Sequence, residues 1–103
     1  MKRLAPVHPG EVLLEDFMKP NGLTAYRVAK DIGVPALRIN QIVKGERGIS
    51  ADTALRLARY FGTSAAVWVR IQARYELEMA QNELEGRIGK EVKVFRAAGG
   101  KQN

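Results

Sequence analysis

Apolar residues recur along most of this chain at the three- and four-residue spacing of amphipathic helices. Leu13 with Phe17, and Leu14 with Met18, are spaced i, i+4 and predict an apolar face on a first helix that begins at Pro9. Similar patterns, each preceded by a helix-starting residue and followed by glycine, indicate four more helices. The predicted helices cover about residues 9–20, 24–32, 35–44, 51–61 and 64–85.

The fifth predicted helix is the longest, and Gly86 and Gly89 are expected to break it after about Glu85. Polar and apolar residues alternate over residues 91–95, which predicts a short strand or an extended arm. The chain therefore divides into a helical domain over residues 1–85 and an extended or disordered basic tail over residues 86–103. One apolar stripe of the fifth helix is formed by Val67, Trp68, Ile71, Tyr75 and Met79, and a second by Leu77, Ala80 and Leu84.

The second and third helices carry a spacing that predicts a helix-turn-helix motif over residues 25–45. Ala29 is small where two steeply crossing helices would touch, and Gly33, four residues later, tolerates a left-handed turn. Ile39 follows as the apolar anchor that seats the third helix on the second. This arrangement leaves the first half of the third helix projecting outward, where it can enter a major groove.

The side chains expected on the outward face of the third helix suit contact with DNA. Gln41 and Asn40 can bond an adenine edge, and Arg38 can bond a guanine edge or a phosphate. Basic and hydroxyl-bearing residues nearby suit phosphates. The candidate DNA-binding residues are Thr24, Tyr26, Arg27, Ala36, Arg38, Asn40, Gln41, Lys44 and Arg47.

Charge supports an anionic partner. The 103 residues carry a formal net charge of +6, and residues 24–62 hold seven Lys/Arg against three Asp/Glu. Residues 75–85, in contrast, hold four Glu and no Lys or Arg. This acidic stretch is read as a solvated face.

Several classes of function are disfavoured. The chain has no cysteine and a single histidine, His8, which is expected at a helix start rather than in a metal site. We find no paired catalytic groups and no phosphate-binding glycine loop, so we expect no enzyme and no cofactor. With no apolar run of 18 residues and no signal-peptide pattern, we expect a cytoplasmic protein without a membrane partner.

Longer segments carry a family resemblance over about residues 8–85. HPGEVLLEDF, GVPALRINQIVKGERGISADTALRLARYFGTS and VWVRIQARYELEMA resemble HigA-type antitoxins, the VapI branch of the Cro/C1-type (XRE) helix-turn-helix proteins. The resemblance implies an all-α, five-helix Cro/C1-repressor-like domain, a homodimer and repression of its own operon by binding operator DNA. It also implies neutralisation of a cognate toxin, typically an mRNA endonuclease.

A dimer is also expected because two half-sites one helical turn apart require two recognition helices. We expect its interface on the fifth helix and the tail, at Trp68, Ile71, Tyr75 and Met79. For Trp68, the helical spacing with Ile71 and Tyr75 fits a place in the core as well. Two alternatives stay open from the sequence. One is a stand-alone transcriptional regulator with no toxin partner, and the other is a protein-interaction module whose motif no longer reads DNA.

Overall fold

A computed structural model describes residues 5–98, and within that range it contains five α-helices and no β-strand. The predicted all-α fold is confirmed. A π-helical turn at Leu13–Met18 and a 3-10 turn at Lys19–Asn21 continue the first helix. The α-helices are α1 (Pro9–Val12), α2 (Ala25–Ile32), α3 (Ala36–Val43), α4 (Ala51–Phe61) and α5 (Ala65–Glu91).

Hydroxyl side chains begin three of these helices, and they are the helix-starting residues that precede the apolar patterns in the sequence. The Thr24 side chain accepts a hydrogen bond from the Arg27 amide, and Ser50 and Ser64 cap α4 and α5 in the same way. Each bond satisfies a first-turn N–H that has no partner inside the helix. Local chemistry therefore set these boundaries.

The first helix departs from the predicted i, i+4 pattern. In the π-helical turn the N–H of Lys19 bonds the carbonyl of Leu14, five residues earlier. This wider turn aligns Leu13 with Met18, and both are buried, whereas Leu14 and Phe17 pack at the edge of the core. The predicted pairs are replaced because the core, and not the helix period, selects which side chains point inward.

The start of α1 is held against α3 and α5. His8 precedes the helix, and its Nδ1 accepts a hydrogen bond from the Gly10 amide at 2.9 Å, which confirms the predicted helix-start role. The His8 ring meets Tyr75 of α5 edge-on, with centroids 4.8 Å apart. A Cβ on Gly10 would lie 1.7 Å from the carbonyl oxygen of Ile42, so only glycine allows this approach.

Trp68 belongs to the core of the single chain, and its predicted place in a dimer interface is wrong. Its side chain is fully buried, with its ring centroid 5.1 Å from that of Phe17. The indole N–H donates to Thr63 Oγ1 at 2.9 Å. A side chain without exposed surface has none to offer a partner.

Helix α5 is longer than predicted, because it continues through Gly86 and Gly89 to Glu91. A glycine inside a helix costs only about 1 kcal/mol and does not stop it unless the backbone turns left-handed. Val92 is extended, with φ −108° and ψ 121°, and residues 92–97 form no helix. The last part of the predicted tail, residues 99–103, lies outside the described residues. Among residues 5–98, none of the helices combines the length and the hydrophobicity that a membrane-spanning segment requires.

Candidate nucleic-acid interface

The turn between α2 and α3 has the predicted geometry. Gly33 adopts a left-handed conformation, with φ 74° and ψ 37°, and its N–H and that of Val34 bond the last carbonyls of α2. Ala29 and Ile39 are both buried at the contact between the helices. The small residue, the glycine and the apolar anchor therefore perform the roles that their spacing predicted.

Burial of one side of α3 determines which side chains it exposes. Ile39 and Ile42 are buried, so the 100° step of an α-helix places Leu37, Gln41 and Lys44 on the opposite side. We call these three residues the outward stripe. Leu37 was not among the candidate DNA-binding residues predicted from the sequence. The Leu37 side chain is 65% exposed, and the angular distance from the two isoleucines was the signal that could have placed it.

The other candidates on α3 are less prominent than predicted. Ala36 packs against the edge of the core. The Asn40 amide donates to the Ala36 carbonyl of its own helix at 3.1 Å. Arg38 is half-buried, as is Gln41, but its direction on the helix places it beside the outward stripe and not in it. These residues border the stripe and do not lie at its centre.

A loop arginine joins the outward stripe. The Arg47 Nε donates to the Gln41 Oε1 at 2.9 Å, and the Glu46 amide bonds the Gln41 carbonyl at 2.8 Å. The loop therefore folds back over the end of α3. It places a guanidinium next to Gln41 and leaves the Gln41 amide NH₂ as the group that can donate outward.

A side chain of α5 supports the same loop on the side facing the core. The Gln72 Oε1 accepts a hydrogen bond from the Ile49 amide at 2.8 Å, and a Cβ on Gly48 would lie 2.7 Å from the Gln72 amide group. Gly48 thus leaves room for Gln72 to reach the backbone. Sequence reasoning gave Gln72 no structural role, because its partner lies 23 residues away.

The start of α2 carries the remaining predicted residues. Tyr26 is exposed, and the Thr24 hydroxyl is used as a helix cap. The Arg27 Nε donates to Asp31 Oδ2 at 2.7 Å, and the Tyr60 hydroxyl donates to the same oxygen at 2.5 Å. The bonds from Tyr60 and Arg27 lower the pKa of Asp31, so the carboxylate stays charged and holds Arg27 along the helix surface.

The described residues contain no cluster of three or more His, Cys, Asp or Glu that could hold a metal ion. The candidate interface consists of the exposed face of α3, the basic loop that carries Arg47 and the start of α2. This arrangement can offer hydrogen bonds, positive charge and one apolar side chain to an extended partner.

Comparison with known proteins agrees with this geometry. A helix-turn-helix family model matches residues 14–68, more than half of the chain. The virulence-associated protein I of Dichelobacter nodosus is 52% identical over 77 residues, which cover 75% of this chain and 71% of the relative.

Two solved structures are similar over most of their length. The antitoxin HigA of Pseudomonas aeruginosa, solved with the higBA promoter, is 40% identical with a TM-score of 0.84, covering 85% of this chain and 96% of that one. The antitoxin GraA, solved in complex with its operator, is 33% identical with a TM-score of 0.86, covering 94% and 98%. The chain therefore belongs to the Cro/C1-type (XRE) helix-turn-helix family, among the HigA-type antitoxins.

Proposed function

We propose that this chain is a DNA-binding antitoxin that represses its own operon by placing α3 in the major groove of an operator. The observation that carries the proposal is the outward stripe, which lies beside Arg47 on a helix seated by Gly33 and Ile39. Similar proteins were solved with a promoter and with an operator, which supports DNA as the ligand.

The individual contacts follow from the chemistry of each side chain. Gln41 and Arg38 are assigned to base edges, and Lys44 and Arg47 to phosphates on either side of the groove. The start of α2, with its first-turn amides and the neighbouring Tyr26 and Arg27, is assigned to the adjacent backbone. Ala36 and Asn40 border the groove.

Binding to the chain's own promoter tests this assignment. Replacing Arg38 and Gln41 together by Ala should abolish specific binding while leaving the helical circular dichroism unchanged. Lys44→Ala should weaken binding to all sequences and reduce the salt dependence by about one unit per protomer. A scrambled promoter of equal length is the control. Unchanged specific binding by the double variant would contradict the assignment.

We further propose a homodimer formed through the outer part of α5. Met79 is 41% exposed, whereas Ile71 and Tyr75 are half-buried where α5 meets the domain. Leu77 and Ile88 are exposed on the side of α5 opposite Met79. Two copies would set their α3 helices on half-sites about 34–36 Å apart. Light scattering at micromolar concentration should give twice the chain mass, and a monomer would contradict the dimer.

Neutralisation of a toxin is the remaining part of the proposal. It rests on similarity to HigA-type antitoxins, whose family partner is typically an mRNA endonuclease. The product of the adjacent reading frame should inhibit growth alone and should co-purify with this chain when both are expressed. A chain that binds its promoter but no such product would instead be a stand-alone regulator.

A further inference from the structure

Leu37 is the apolar member of the outward stripe, and it is 65% exposed in the first turn of α3. An isolated leucine on a protein surface needs no explanation. This one, however, lies between polar neighbours on the side of α3 turned away from Ile39 and Ile42. Early residues of a recognition helix approach base edges closely, so Leu37 occupies a position where its chemistry decides what can be read.

A leucine side chain discriminates sharply among major-groove edges. Guanine, adenine and cytosine present hydrogen-bonding groups there, whereas thymine presents a C5 methyl group beside its O4 acceptor. Leucine can neither donate nor accept a hydrogen bond, and burial against a base edge without a methyl group would leave polar atoms without partners. The thymine methyl group is therefore the favoured contact.

Gln41, one helical turn after Leu37, can contact the same base or the next one. The Gln41 Oε1 is bonded to Arg47 Nε at 2.9 Å, and the Gln41 NH₂ remains as an outward donor. A donor beside an apolar side chain complements the adjacent acceptor and methyl group of thymine, either on one base or on consecutive bases. We propose that Leu37 contacts a thymine methyl group and makes one T·A pair in each half-site a determinant of operator specificity. This inference rests on the proposed docking of α3 in the major groove.

Single-atom changes in the DNA test the contact. The full chain is titrated with its promoter operator, in which each thymine is replaced in turn by deoxyuridine at symmetric positions of both half-sites. Deoxyuridine lacks only the methyl group. Loss of one buried methyl group should weaken wild-type binding about fourfold per half-site at one position, and not at the others.

Protein variants complete a double-mutant cycle. Leu37→Ala should bind the thymine operator more weakly and should lose the sensitivity to deoxyuridine at that position. Leu55→Ala is the matched control, since Leu55 on α4 is 64% exposed and lies outside α3. It should keep both the affinity and the deoxyuridine sensitivity of the wild type.

The outcomes separate this inference from the proposed function. Tight operator binding with no deoxyuridine-sensitive position, or with equal sensitivity in Leu37→Ala, would overturn the thymine contact alone. A wild-type chain that binds no promoter fragment would overturn the proposed function and this inference with it. Loss of toxin binding by Leu37→Ala with unchanged DNA binding would assign the side chain to a protein contact and overturn the inference.

Discussion

The two halves of α5 have the same backbone conformation but different surroundings. Over residues 65–75 the helix buries Trp68, contacts His8 through Tyr75 and supports the loop after α3 through Gln72. Over residues 76–91 it contains no fully buried residue, and the i, i+4 ion pair Arg87–Glu91 lies on its surface. A helical backbone therefore does not report which residues are held by tertiary contacts.

The comparison has a physical consequence. An isolated helix of about 15 residues is only marginally stable in water, and exposed ion pairs each contribute about 0.3–0.5 kcal/mol. The inner half of α5 is stabilised by the core, whereas the outer half is expected to gain most from a partner. The following substitutions test this difference, starting with the largest expected effect.

Trp68→Ala should lower the free energy of unfolding by about 3–5 kcal/mol, because it removes a large core side chain and its hydrogen bond to Thr63. Met79→Ala, one of the exposed positions on the outer half, should change it by less than about 0.5 kcal/mol. Urea unfolding, at protein concentrations too low for dimers to form, measures both free energies. Equal losses would show that the two halves of α5 are equally supported.

Gly10→Ala should destabilise the domain by about 3 kcal/mol, because the new methyl group would overlap the backbone carbonyl of Ile42. A backbone group cannot rotate away as a flexible side chain can. Gly86→Ala should instead stabilise by about 0.5–1 kcal/mol, since no atom beyond the neighbouring residues and the helix's own backbone lies within 4 Å of its Cβ position. Thermal unfolding of the two variants provides the comparison. Shifts of the same sign would contradict the placement of Gly10 against α3.

Gln72→Ala should cost about 1–2 kcal/mol, because the Ile49 amide loses its acceptor. Hydrogen exchange at Ile49 should accelerate at the same time. Gln81→Ala, at an exposed position on the outer half, is the control and should leave both stability and exchange nearly unchanged. An unchanged exchange rate of the Ile49 amide would show that Gln72 does not support the loop.

His8 should make a small, pH-dependent contribution. Burial lowers the pKa of His8 from its ordinary value of 6.5, against the opposing effect of Glu11. The unfolded chain therefore binds a proton more readily, so stability is complete above pH 6.5 and declines as pH falls below it. Stability curves of wild type and His8→Asn should run parallel above pH 6.5 and converge below. Parallel curves throughout would exclude this titration.

Much of the fold could be predicted because it depends on local chemistry. Hydroxyl caps at Thr24, Ser50 and Ser64 and the left-handed Gly33 act within a few residues of the chain. The burial of Ile39 followed from helical periodicity. The sequence alone therefore predicts that the candidate interface lies on α3.

Contacts between distant residues could not be predicted in this way. The π-helical turn that buries Met18, the approach of Gly10 to Ile42 and the bond from Ile49 to Gln72 each depend on a partner in another element. No local pattern encodes such partners.

The sequence by itself determined where the helices begin, where the chain turns between α2 and α3, and which family the protein resembles. The tertiary structure decided that Trp68 is core, that α5 continues through its glycines and that Leu37 faces outward. The reason is that caps and turns act over three or four residues. Exposure, in contrast, depends on which surfaces the rest of the chain covers.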